Sequence, residues 1–232
     1  IYDDPAKAAC RATTCGDATF VVNEEGYVVP VSTYHTVNEK PFNYVKCNTF
    51  NTDGTCKATT DIVEIGDANP DFNMSFSSTF NYKRFSVTGL LDWTQGGHIY
   101  NGTRQWPFQD RRDQIFDQSA KSDAAKKPIA YYSYFYNGLN GQALFVEPGT
   151  YAKIKELSIN YTLVRDQLKS LGLGRLENVR LGIVGRNLFT FTKYSGYDPE
   201  VAGLQGDPFQ FRMDWFHSPH FRTFTGVVEI AF

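Results

Sequence analysis

Twelve consecutive residues, from Phe72 to Lys83, alternate between a mostly aromatic set and a wholly polar one. Phe72, Met74, Phe76, Ser78, Phe80 and Tyr82 share one face of an extended chain. Asn73, Ser75, Ser77, Thr79, Asn81 and Lys83 share the other. Period two over that length specifies a β-strand greasy on one side and wet on the other. Twelve residues at about 3.3 Å each, tilted by about 45°, cross roughly 28 Å, close to the apolar band of a membrane barrel. Strands in soluble sheets are usually about five or six residues long.

The same pattern recurs downstream. Phe85, Val87, Gly89, Leu91 and Trp93 alternate with mostly polar residues up to Gln95, after a tight turn at Lys83-Arg84. A third strand is expected over Tyr151–Leu163, with Leu157, Ile159, Tyr161 and Leu163 on one face. A fourth is expected over Asn178–Thr192 and a last over Phe221–Phe232. The connections differ in length. Those after Tyr82 and Leu163 are short, and Arg165–Leu171 reads as a helical turn ended by Gly172. Those after Gln95 and Thr192, Gly96–Gly149 and Lys193–His220, are long, and Gln109–Lys127 allows a short surface helix. Short turns at one end and long loops at the other are the rule in bacterial outer-membrane barrels, with the long loops extracellular. That parity puts the C-terminus in the periplasm and residues 1–71 at the outer rim, ahead of barrel strands in residues 72–232.

Composition excludes some alternatives. A net charge of −2 leaves no cationic surplus for nucleic acid, and no apolar run reaches the 18 or so residues of a membrane helix. Cys10, Cys15, Cys47 and Cys56 lie in the first quarter and form an even set, which suggests disulfides in an oxidising compartment. Their spacings do not fit paired zinc ligands. Ile1-Tyr2-Asp3-Asp4-Pro5 carries no signal-peptide features, so the sequence is expected to start inside a longer protein. The last strand places Phe224, Val228, Ile230 and Phe232 on one face, and a terminal aromatic there resembles the signal read by barrel-insertion machinery.

Three segments together resemble the SusC/RagA family of TonB-linked outer-membrane transporters. They are Ile65-Gly-Asp-Ala-Asn-Pro-Asp-Phe72 leading to Leu91-Asp-Trp-Thr-Gln-Gly-Gly97; Phe145-Val-Glu-Pro-Gly-Thr-Tyr151 with Ile154-Lys-Glu-Leu-Ser-Ile-Asn-Tyr161; and Gly185-Arg-Asn-Leu-Phe-Thr-Phe-Thr-Lys-Tyr-Ser-Gly-Tyr-Asp-Pro-Glu200. The resemblance covers about residues 65–232. It implies an all-β fold, the C-terminal strands of an antiparallel transmembrane barrel of about 22 strands with a plugged lumen. It also implies nutrient import without covalent chemistry or a cofactor. The partners it implies are a SusD-like lipoprotein, TonB acting from the periplasm, the rest of the same barrel and plug, and outer-membrane lipid.

Substrate contacts, on this reading, come from outer loops: Arg104, Trp106, Tyr131, Tyr132, Tyr134, Tyr194, Tyr197, Trp215 and Phe216. Aromatic faces stack on sugars and peptides, and loops carry specificity; the plainer role for such rings is packing the loops together. Asn73, Ser75, Thr79, Asp92, Asn160 and Arg180 are expected to line a wet lumen. His217 and His220 suggest no metal site, because further ligands are not identifiable. Asn73-Met-Ser, Asn101-Gly-Thr and Asn160-Tyr-Thr are chance glycosylation patterns. Two other classes compete. A complete small adhesive barrel needs at least eight strands, and Phe20–Asn23, Tyr27–Ser32 and Phe42–Val45 are short candidates for the missing ones. A soluble carbohydrate-binding β-sandwich would turn Phe76, Phe80, Leu91 and Trp93 into a protein core.

Overall fold

The computed structural model describes residues 20–41, 46–53, 56–60, 64–136, 142–200 and 211–232. In chain order the elements are β1 (Phe20–Val22), β2 (Val28–Pro30), β3 (Lys46–Phe50), β4 (Cys56–Thr60), β5 (Phe72–Tyr82), β6 (Phe85–Gln95) and β7 (His98–Asn101). Helices α1 (Gly102–Gln109) and α2 (Ile129–Tyr136) follow, then β8 (Val146–Pro148), β9 (Tyr151–Val164), α3 (Arg165–Ser170), β10 (Asn178–Thr192), β11 (Met213–Asp214) and β12 (Thr223–Ala231). Contacts divide the chain into two units, residues Ile1–Asp67 with Tyr100–Val146, and Ala68–Ile99 with Glu147–Phe232. The long connection after β6 therefore folds with the N-terminal residues.

The second unit is built on a five-stranded antiparallel sheet in the order β12-β10-β9-β6-β5. Its register carries the alternation of each strand across to its neighbours. Tyr82, Phe85, Tyr161, Leu181 and Val228 form one row, and Phe80, Val87, Ile159, Ile183 and Gly226 the next. Further along, Phe76, Leu91, Ile154 and Phe189 align, then Met74, Trp93, Ala152 and Phe191. Large side chains in these rows are exposed: Phe76 is 62% accessible, Ile183 64% and Val228 65%. Among the described residues, no helix is long and apolar enough to cross a membrane.

Two irregularities keep the rows apolar. Leu90 pairs with Glu156 and Leu91 with Ile154, so Lys155 is an extra residue of β9 with no counterpart on β6. Strict alternation would put Ile154 beside Glu156 and turn both Lys153 and Lys155 to the apolar face. The bulge resets the phase, and both lysines pair with acidic groups instead. On the other side, Asn187 and Leu188 of β10 together face Lys155. Asn187 takes φ 51°, a left-handed conformation that asparagine adopts more readily than most residues.

Polar groups answer one another across the opposite face. Ser75 donates to Asp92 at 2.7 Å, Thr94 to Asn73 at 2.8 Å, and Thr79 and Thr88 share a 3.0 Å bond. Arg186 bonds Glu156 at 2.9 Å, and Arg180 bonds Glu229 at 3.3 Å. Asn73, Ser75, Thr79, Asp92 and Arg180 thus share a polar face, as the alternation specifies.

The first unit holds the hairpins β1-β2 and β3-β4 and an aromatic core. Phe108, Tyr131, Tyr132 and Phe145 are buried together, with Tyr27, Tyr100, Ile115, Phe116 and Leu144 packed around them. The helix expected within Gln109–Lys127 is absent. Single 3₁₀ turns at Gln114–Phe116 and Asp123–Ala125 stand there, flanked by α1 and α2. Asp113 accepts from the Ile115 N–H at 3.0 Å and Asp117 from the Ser119 N–H at 3.0 Å. Such local side-chain bonds compete with helix formation. Cys10, Cys15, Phe42–Val45 and the side chains of Cys47 and Cys56 lie outside the described residues. In the β3-β4 ladder Cys47 pairs with Thr59 and Cys56 with Phe50, so the two cysteines are not opposite each other.

Candidate functional site

The three motif segments, far apart in sequence, meet at the long-loop end of the sheet. Gly97 closes the first segment, Gly149 lies in the second, and the Gly149 N–H donates to Gly97 O at 2.8 Å. The buried Arg212 guanidinium fills the space these two glycines leave. Nη1 donates to Gly96 O at 3.3 Å and Nη2 to Gly149 O. A Cβ on either Gly97 or Gly149 would collide with that guanidinium, and Gly97 also takes φ 67°. Glycine is required here by close approach as much as by conformation.

The third segment is tied down by acids. Ser195 donates to Glu147 through its N–H at 2.7 Å and its hydroxyl at 2.8 Å. Tyr194 donates to Asp214 at 2.6 Å. Burial, and then the hydrogen bond to Asp214, push the Tyr194 phenol well above the usual range. Tyr194 therefore stays a neutral donor.

Below them lies an ionic cluster. Lys153 of β9 donates to both carboxylate oxygens of Asp198, at 3.1 and 3.0 Å, and to Glu200 at 3.0 Å. Lys155 pairs with Glu200 and reaches Asp92 at 3.8 Å. His220 Nδ1 lies 2.9 Å from Asp198 and its N–H donates to the same oxygen at 3.1 Å. Burial works against the Asp198 carboxylate, but the hydrogen bonds from Lys153, the Glu200 N–H and His220 outweigh it and hold its pKa at about 2. Ligand atoms of Asp198, Glu200 and His220 fall within 4.8 Å of one another, close enough to hold an ion. The Lys153 ammonium already occupies the cationic place between the two carboxylates, so charge gives a metal no added drive. His217 acts elsewhere, accepting from the Trp215 N–H at 3.3 Å. A cleft of about 270 Å³ adjoins the cluster, walled by Asn73, Thr94, Tyr151, Glu200, Phe211 and Arg212 among others.

The loop residues singled out from the sequence divide by exposure. Tyr131, Tyr132 and Tyr194 present almost no surface, at 0%, 0% and 5%. Tyr131 accepts from Asn23 at 2.8 Å, and Tyr132 donates to Glu25 at 2.6 Å. Their rings pack loops. Arg104 is held by Asp113, with Nε 2.7 Å from Oδ2. Trp106, Tyr197 and Phe216 are exposed, and Trp215 is half-buried. The Tyr134 side chain lies outside the described residues. Sequence reading assigned no role to Arg212, Asp214, Glu147, Lys153 or Lys155. Glu147 and Lys155 lie inside the second motif and Lys153 between its two halves, and the third motif, Tyr194 to Glu200, supplies their partners.

No family model matches the chain. It is 29% identical over 187 residues to TonB-dependent receptor P3 of Formosa agariphila, covering 75% of this chain and 18% of that protein. It is 26% identical over 180 residues to TonB-dependent receptor P39 of the same organism, covering 73% of this chain and 17% of that protein. The chain thus spans under a fifth of the length of these curated relatives. In structure it is similar to the RagAB peptide importer in its closed-closed state, with a TM-score of 0.58 and 16% identity. The open-open state of that importer gives 0.52 at 15% identity. Both alignments cover 93% of this chain and 22% of the other. The fold is that of a β-sheet segment shared with this class of importer. The chain is similar to curated TonB-dependent receptors, and the resemblance carried by its three motifs is borne out.

Proposed function

We propose that this chain is part of the barrel wall of a TonB-dependent outer-membrane importer of the SusC/RagA kind. The observation that carries the reading is the registered, exposed apolar face of the five-stranded sheet. A face of that size in water would drive aggregation. In lipid it is the required surface, and the opposite polar face lines a wet lumen. The two outer strands, β12 and β5, have partners in the rest of a barrel of about 22 strands, because an open edge leaves backbone groups unpaired in hydrocarbon. The short turns lie in the periplasm and the long loops outside. Phe224, Val228, Ile230 and Phe232, all exposed, then face lipid.

The whole protein imports a nutrient, an oligopeptide or a glycan, with TonB driving opening and a SusD-like lipoprotein capping the barrel. Similarity to the RagAB peptide importer supports this reading. Trp106, Tyr197, Trp215 and Phe216 are the loop rings best placed to touch substrate. The test is extraction of the native full-length protein from washed outer membranes. It should need detergent, migrate faster unheated than boiled on gels, and bring a lipoprotein with it. Solubility in plain buffer with native sheet content would favour the β-sandwich reading instead.

A further inference from the structure

On β5 and β6 the apolar face ends, at its short-turn side, in the row Tyr82, Phe85, Tyr161, Leu181 and Val228, and on β9, β10 and β12 it continues one row further through Leu163, Val179 and Ile230. Lys83 and Arg84 form the two-residue turn beyond it. Together Tyr82, Lys83, Arg84, Phe85 and Tyr161 wall a cleft of about 570 Å³ that has two cations and no carboxylate.

The cleft is held in shape. Phe85 and Tyr161 stack with centroids 4.7 Å apart. The Tyr161 hydroxyl accepts from Gln167 at 3.2 Å. The Thr162 N–H fixes the Arg84 carbonyl at 3.0 Å. Lys83 Nζ lies 5.4 Å from the Tyr82 ring centroid. Across the two short links, residues 83–84 and 164–177, the basic residues are Lys83, Arg84, Arg165, Lys169 and Arg175, against only Asp166 and Glu177. Leu171 and Leu173 are exposed in the second link.

We propose that this cleft binds the phosphate of a phospholipid headgroup in the periplasmic leaflet. The inference rests on the lipid-facing reading of the sheet. Exposed aromatic rings seat the glycerol and upper acyl region, as aromatic girdles do at an interface. Lys83 and Arg84 meet the phosphate just outside the apolar band, Arg84 presenting a fork suited to phosphate oxygens. A carboxylate-free cleft with two cations beside an apolar face fits an anionic amphiphile, and a free anion would have no use for the three rings.

The test is native mass spectrometry of the full-length protein in detergent, titrated with phosphatidylglycerol. The parent should keep lipid adducts. A Lys83→Asn, Arg84→Gln double variant should bind roughly thirtyfold more weakly, the loss expected for two basic residues at a charged surface. A Lys83→Arg, Arg84→Lys variant should retain the adducts. Both variants alter an exposed turn, and heat-modifiable migration checks that they fold. Equal adducts in parent and Asn/Gln variant overturn the proposal, as does release of the adducts by millimolar inorganic phosphate. A parent that stays dispersed without detergent and carries no lipid overturns the underlying reading of the face itself.

Discussion

The hydroxyl of Tyr194 donates a 2.6 Å hydrogen bond to Oδ2 of Asp214, and both side chains are buried. The bond joins the third sequence motif to a short strand twenty residues on. Tyr194→Phe keeps the ring but removes one donor from a buried carboxylate, which should cost about 1–3 kcal/mol. Thermal unfolding of the full-length protein in detergent should show a lower midpoint. Because the phenol pKa is raised, its contribution is fully present below about pH 10 and is lost as pH rises toward the folded value. An unchanged midpoint at neutral pH would contradict the assigned bond.

Gly149→Ala should be as harmful as the loss of Arg212 itself. The added methyl enters the space of the guanidinium, which must leave the Gly96 and Gly149 carbonyls. Arg212→Lys keeps the charge but loses the fork that reaches two acceptors. Each change should cost about 1–3 kcal/mol through buried, unpaired backbone groups. If Gly149→Ala is neutral while Arg212→Lys is damaging, the close approach described here is wrong.

Lys153→Met removes the cation between the buried Asp198 and the half-buried Glu200 and leaves both carboxylates short of a partner. Breaking a buried pair from one side costs about 3–5 kcal/mol, so the segment after β10 should become sensitive to added protease. Adding Asp198→Asn should recover part of the loss. The Asp198 pKa of about 2 is depressed from 3.8. The tether should therefore be intact above about pH 4 and fail as pH falls toward 2. Hydrogen exchange of the 193–200 backbone amides, followed by acid quench and mass analysis, reads this window.

The long strands were legible because period two leaves a direct trace in residue order. The two bulges were not. Ile154 sits at a polar parity and Lys155 at an apolar one, and only pairing with β6 and β10 shows the shift. For Tyr131 and Tyr132 the sequence left substrate contact and loop packing both open, because composition does not tell a ring packed inside a loop domain from one outside it. The cluster around Arg212 joins residues as much as 116 positions apart. The motifs marked its parts, but their convergence is a property of the fold.

Charge placed on the apolar face gives the sharpest separation of the membrane and soluble readings. Leu157 lies in the middle row of the sheet, aligned with Ser78, Gly89, Gly185 and Phe224. Tyr82 lies in the end row. If the face meets lipid, Leu157→Arg should cost about 2–4 kcal/mol and Tyr82→Arg about 0–1, because the penalty falls from the bilayer midplane to the interface. Thr79→Arg, on the polar face beside Thr88, should be tolerated in a wet lumen. Unfolding of the full-length protein from phospholipid vesicles by guanidinium measures all three. In a β-sandwich, with the face packed against protein, the cost would follow local burial, and Tyr82→Arg would gain no relief from sitting in the end row. Equal losses for Leu157→Arg and Tyr82→Arg would therefore count against the membrane, whereas a graded loss places the sheet across it.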